Sequence, residues 1–391
     1  MIASKRVRAA ACSLLGLLLV QCAGVRLGDT ATRSPRAGDL ALRWQRRLVE
    51  PAALDWAPVI RGGVAYDHLR DRLFVGSVDR GFRSIRSEDG AMLWRFEALG
   101  RIDSTPLLDG DAVYFGAGDG AVYSVDSESG RLRWRTVVGA EVVHAPVRAG
   151  RFVIVVTGAD AVAAVDAQTG ARAWTYRRSP PGGISSSGHA GLVVDDNRLF
   201  TGFADGTAVC LDPTDGSVIW EQDTAADFES EDGQNEGHQA IDIDTTPVVI
   251  GDTVFVASQA VGLLALDKVG GSRRWSNARL TGVTALGTDG RSLFASSLEA
   301  GLVKLDPFDG RVLWARDLDA GAVVNIRSVS RGRLLVSSID RGLWVVRAAD
   351  GTAIDGLRPG RGVAAPVSLS PDSRLFVHSN ADIVYALDLA Q

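Results

Sequence analysis

"DGAVYSVDSESGRLRW", residues 119–134, sets an acid, a glycine and a tryptophan at intervals of four: Asp126, Gly130 and Trp134. The phrase returns as "DAVAAVDAQTGARAW", residues 160–174, with Asp166, Gly170 and Trp174. Further copies stand at Asp212/Gly216/Trp220, Asp267/Gly271/Trp275 and Asp306/Gly310/Trp314. Two degenerate copies flank the series, Arg86/Gly90/Trp94 and Arg347/Gly351/Asp355. Successive copies begin 40, 40, 46, 55, 39 and 41 residues apart. A period near forty is the mark of a stacked or radial repeat.

Within each copy, short runs of Val, Tyr, Phe and Leu alternate as half-buried strands require, with glycine and Asp-Gly turns between them. The acid can bond turn amides, and the glycine can take a positive φ. The tryptophan falls at a fixed point of the next strand, where its ring can pack on the neighbouring repeat. A further strand opens most units at a proline, as in "STPLL" (104–108), "HAPVR" (144–148), "TTPVV" (245–249) and "AAPVS" (364–368). Four strands per forty residues make a propeller blade. The C-terminal "DIVYALDLAQ" stops before its tryptophan, whereas "DLALRWQRRL", residues 39–48, supplies Trp44 with nothing before it. Joined, these fragments complete an eighth blade and remove an open edge. The expectation is an all-β, eight-bladed propeller of four-stranded antiparallel blades over residues 39–391, closed by the N-terminal strand. Trp44, Trp94, Trp134, Trp174, Trp220, Trp275 and Trp314 are expected to dock blade on blade. No Trp-Asp dipeptide occurs, which argues against the WD40 class.

Ahead of the repeats, "MIASKRVR" is basic and "AAACSLLGLLLV" is apolar but short for a membrane span. They lead to Cys22, an order that resembles a bacterial lipoprotein signal with Gln21 before the lipidated cysteine. The expectation is a signal over residues 1–21, lipidation of Cys22 and a flexible tether over 22–38. An ordinary cleaved signal is the plainer alternative. Removing residues 1–21 leaves 39 basic against 47 acidic residues. That balance excludes nucleic-acid binding through a general positive field. Cys210 is then the one cysteine away from the anchor, so no internal disulfide is expected.

Catalytic constellations are missing from the sequence: there is no CxxC, HExxH, GxSxG or Gly-Lys-Ser motif. The turns in "FGAGDG" join strand to strand and lack the helix a nucleotide fingerprint needs. The five histidines are scattered and read as loop residues. No catalytic residue, cofactor or metal is assigned. Two connections break the repeat. "TYRRSPPGGISSSGHAG" (175–191) is long and follows Trp174, and residues 221–247 carry nine carboxylates from Glu221 to Asp244. The plain reading of the second is a solvated acidic loop; the sharper one is a surface for a basic partner or a divalent metal. Both insertions follow a tryptophan strand in adjacent repeats, so they are expected on one rim, as a docking site.

The repeated phrase resembles the quinoprotein (PQQ-type) propeller superfamily. "IDIDTTPVVIGDTVFVASQAVGLLALD" (241–267), the eight-blade count and the cysteine signal resemble, within it, the BamB lipoproteins of the outer-membrane β-barrel assembly machinery. The resemblance implies a non-enzymatic scaffold on the periplasmic face of the outer membrane, held by its lipid. Its implied partners are the barrel-forming subunit BamA and nascent outer-membrane proteins. It also implies that Asp242 and Asp244 face that subunit together with a Leu-x-Leu-Arg loop of the preceding blade. The loop corresponds to "GGISSSG", with Ile184 standing for one leucine. The arginine has no counterpart at its place, and Arg177 and Arg178 lie a few residues earlier. Turn capping is the structural alternative for the two acids. A binding module of another envelope pathway (peptide, polysaccharide or calcium) and a quinoprotein dehydrogenase are the competing functions.

Overall fold

The computed structural model describes residues 32–33, 39–50, 59–178, 190–224, 241–258 and 261–390. Within these, strands gather into eight antiparallel sheets around one ring. Blade 1 runs from Val64 to Glu97, blade 2 from Leu107 to Val137, and blade 3 from Val147 to Arg177. Blades 4 to 7 begin at Val193, Val248, Val283 and Val323. Each places its four strands in chain order from the channel outwards, here called a to d. Blade 8 takes strands a to c from Ser368–Leu389 and strand d from Leu40–Arg47, with Trp44 opposite Ala386 and Gln45 opposite Tyr385. The ring is therefore closed by the N-terminal strand, as the sequence implies. Thr32–Arg33, inside the stretch expected to be a tether, adds a short fifth strand to blade 7, pairing with Leu357 and Arg358.

Alternation along each strand sends side chains to the two neighbouring seams. In place of one core there are eight apolar clusters, each drawn from two adjacent blades. The Asp-x3-Gly-x3-Trp phrase is the fastening of these seams. Asp126 Oδ1 accepts the amides of Glu128 and Ser129, Asp166 those of Gln168 and Thr169, and Asp267 those of Val269 and Gly270. In the degenerate copies the acid sits three residues later: Asp89 and Asp350 cap the turn and pair with Arg86 and Arg347. The motif glycines hold φ between 71° and 77°. A Cβ on any of them would lie 2.5–2.9 Å from atoms of the preceding blade, the tryptophan ring among them. Each indole then donates Nε1–H to the next blade's turn: Trp94 to Ser127 O (3.2 Å), Trp134 to Ala167 O (3.0 Å), Trp220 to Lys268 O (3.1 Å). Trp44, Trp174, Trp275 and Trp314 repeat the bond to Ser87, Pro213, Pro307 and Ala348. The intervals of four are thus a clasp: each turn's glycine receives the ring sent by the blade before it.

Blade 7 carries Asp355 at the place where the other copies have tryptophan. Its buried carboxylate instead accepts the Leu40 amide at 2.8 Å.

These turns carry a pH dependence. The Thr169 amide, with Arg151 beside it, holds the Asp166 carboxyl down from 3.8 to about 2. The hydrogen bond from Arg133 holds Asp126 well below the ordinary range. A lowered folded-state pKa contributes stability that is present above the unfolded value and lost as pH falls through the folded one. Denaturant midpoints are expected to fall between about pH 4 and pH 2, and Asp166→Asn to make that fall shallower. A midpoint unchanged across this window would refute the assignment.

Candidate partner-docking rim

Strand direction gives the wheel two unlike faces. The Asp-x3-Gly turns and the a–b hairpins occupy one; the b–c turns and the connections between blades occupy the other, called the rim face. Three of these connections are pinned by an aliphatic side chain set against a glycine at the end of strand b. Ile102 lies on Gly76, Val142 on Gly116 and Ile243 on Gly202, all closer than a Cβ on the glycine would permit. Ile243 is fully buried, and its amide bonds Phe203 O at 3.2 Å. Ser258 Oγ donates to Ile241 O at 2.8 Å.

Asp242 and Asp244 flank that pinned isoleucine. Asp242 is 3% exposed, whereas Asp244 is half-buried. The next residues seat strand a of blade 5: Thr245 is buried, and Thr246 Oγ1 accepts the Gly191 amide of blade 4 at 3.2 Å.

Arg177 ends strand d of blade 3, and Arg178 follows it. Arg177 is exposed. Arg178 turns to blade 4, bonding Asp205 Oδ2 at 2.6 Å, Glu221 Oε2 at 2.9 Å and Tyr176 Oη at 3.2 Å. Its guanidinium carbon stands 6.0 Å from the Phe203 ring centroid. Burial opposes its charge, but the hydrogen bonds to Tyr176 and Asp205 outweigh it and hold its pKa above the ordinary arginine range.

The turn Phe203–Gly206 of blade 4 therefore joins the two halves of the candidate site. Arg178 packs on one side of it, and the Ile241–Ile243 backbone bonds or abuts the other. Phe203 and Asp205 carry no signal of their own in the sequence, because "FADG" reads as one more strand-joining turn. Ile184 and Cys22 lie outside the described residues, as does most of the acidic insertion.

His378, read from the sequence as a loop residue, is instead fully buried on strand b of blade 8. Its ring nitrogens lie 2.9 Å from Gly62 O and from Asp382 Oδ1, and Ser77 Oγ donates to Asp382 Oδ2 at 2.6 Å. The serine bonds the acid and not the imidazole, so this triad has no nucleophile–base pair. It ties blade 8 to blade 1.

The family model described as outer membrane protein assembly factor BamB matches residues 36–134, 109–301 and 263–390. BamB of Shewanella oneidensis is 22% identical over 225 residues, covering 58% of this chain and 45% of that protein. The matched stretches span between 31% and 45% of the curated relatives' own lengths. The crystal structure of BamB from Moraxella catarrhalis superposes with a TM-score of 0.72 at 20% identity, covering 89% of this chain and 99% of that one. Quinohemoprotein alcohol dehydrogenase from Comamonas testosteroni shares the fold as well, at TM-score 0.65 and 14% identity over 90% of this chain and 77% of its own. The family match runs from blade 8's closing strand to the last blade, and on it the chain belongs to the family of outer membrane protein assembly factor BamB.

Proposed function

We propose that this chain is a non-enzymatic scaffold of the outer-membrane protein assembly machinery that docks the barrel-forming subunit through the rim of blades 3 to 5. The observation that carries this reading is the family match along the whole ring. The rim supplies the means. Arg177 is the exposed cation and Asp244 the more accessible acid, while Asp242 and Ile243 hold the segment in place. Ile184, which falls between these segments in the sequence, is a further candidate for the same contact. Cys22 would carry the lipid that keeps the wheel at the periplasmic face of the outer membrane, where nascent barrel proteins are a second class of partner.

A photo-activated cross-linker at position 244, used in intact envelopes with the captured protein identified by mass, tests this. Capture of the barrel-forming subunit is expected, and a probe at Gln168 on the opposite face should not capture it. Capture from 168 and not from 244 would sink the reading. Reversing charge with Asp244→Lys or Arg177→Glu is expected to weaken co-purification about ten-fold.

A further inference from the structure

The strand registers put one residue of each inner strand at the same level of the central channel. Ala65 stands opposite Phe74, Leu107 opposite Tyr114, and Val147 opposite Ile154. Val193 and Val248 occupy the level in blades 4 and 5, Gly287 in blade 6 and Ser368 in blade 8. All seven are small or apolar. The eighth, opposite Leu335, is Arg327.

Arg327 is exposed on the inner strand of blade 7. Its Nη1 donates to Val367 O at 2.6 Å. That carbonyl is the one protein acceptor recorded for it among the described residues, and no carboxylate pairs with it. A guanidinium has five N–H donors, so most of its capacity points to water or a ligand. The neighbours along the ring are Gly287 and Ser368, which leave space beside it. Burial, with no acid to offset it, pulls its pKa below the ordinary arginine value.

A cleft elsewhere shows the contrast. At the seam of blades 2 and 3, on the Asp-turn face, a cavity of about 780 Å³ is lined by Arg133, Arg148 and Arg151. Each of those arginines has its own acid: Asp111, Asp109 and Asp166 respectively. Charge there is already neutralised. Arg327 has no such counter-charge among the described residues, although the same level of the wall accepts valine three times.

We propose that Arg327 anchors an oxyanion site in the central channel, taking a carboxylate or phosphate group from outside the chain. A planar guanidinium matches either group through paired hydrogen bonds. The group can arrive on a free small anion or on an acidic peptide, and two probes separate these sources.

The full chain would be titrated calorimetrically with inorganic phosphate and with a short oligoglutamate peptide, in chloride buffer. Saturable binding of at least one probe is expected; phosphate alone indicates a small anion, and the peptide alone an inserted acidic segment. Arg327→Gln is expected to weaken that binding about 10- to 100-fold. Its thermal midpoint in chloride, compared with the parent's, verifies that the ring is intact. Arg327→Val, the residue most frequent among its equivalents, should raise that midpoint. Failure of both probes to bind, or equal binding by Arg327→Gln, would overturn the proposal. Neither result bears on cross-linking at position 244, so the channel and the rim are tested separately.

Discussion

Trp220→Ala is expected to destabilise the wheel by about 3–5 kcal/mol, the usual cost of truncating a large buried aromatic side chain. Trp220 is the most enclosed of the seven seam indoles, at 7% exposure. It lies 5.9 Å from the Phe200 ring, receives Gly271 on its face and sits within the apolar cluster of blades 4 and 5. Truncation would empty a space that neither blade can fill, because the Gly271 turn is fixed by Asp267. Trp220→Phe keeps much of the apolar area and loses the bond to Lys268 O, so about 1 kcal/mol is expected from that bond. Trp314, only partly buried on its seam, should lose less than Trp220 on the same change. Urea denaturation midpoints at constant slope measure all three. A loss below about 1 kcal/mol for Trp220→Ala would mean that the seams are held by backbone and apolar strands alone.

Adding a side chain where the indole lands tests the same clasp from the other side. Gly271→Ala would put a Cβ 2.6 Å from the Trp220 ring at a φ of +74°. Steric conflict and backbone strain then act together.

The blades were legible because their logic is local and repeated. Asp126, Gly130 and Trp134 each answer a requirement set within a few residues or by the adjacent copy, and repetition separates that pattern from chance. Even closure could be read, since Trp44 without a preceding turn and Asp388 without a following tryptophan are halves of one unit. Asp355 was legible only as a gap in the pattern; its bond to Leu40, 315 residues away, depends on where the ends meet. The rim was less readable. "DID" shows two acids, but the burial of Asp242 follows from Ile243 pressing on Gly202, a glycine that looks like any strand end. Arg327 carried no signal at all, because an arginine in a strand is ordinary until the ring shows that its seven equivalents are uncharged. His378 failed for the same reason: Asp382 is four residues away in its own blade, but Gly62 meets it only across the seam of blades 8 and 1.

The seam of the closed blade 8 with blade 7 carries the second large effect. Arg333, whose side chain is 6% exposed, donates Nη1–H to Asp39 Oδ2 at 2.8 Å and to Ala390 O at 2.7 Å, while the Ala390 amide bonds Asp39 O. One guanidinium thereby holds Asp39 and Ala390, at the outer ends of the two paired strands of blade 8, to blade 7. Beside it, Leu40 is 3% exposed among Leu343, Leu357 and Leu389. Leu40→Ala is expected to cost about 2–5 kcal/mol, and Arg333→Ala about 2–3 kcal/mol through its lost charged hydrogen bonds. The rates should distinguish these variants from Trp220→Ala. Contacts spanning most of the chain are the slowest to form, whereas blades 4 and 5 can pair as soon as they exist. The closure variants should therefore accelerate unfolding and leave refolding nearly unchanged, while Trp220→Ala should also slow refolding. Stopped-flow rates across a urea series decide it. Refolding slowed in Arg333→Ala as much as in Trp220→Ala would place ring closure before blade stacking, and the late-locking role of Leu40–Arg47 would be lost.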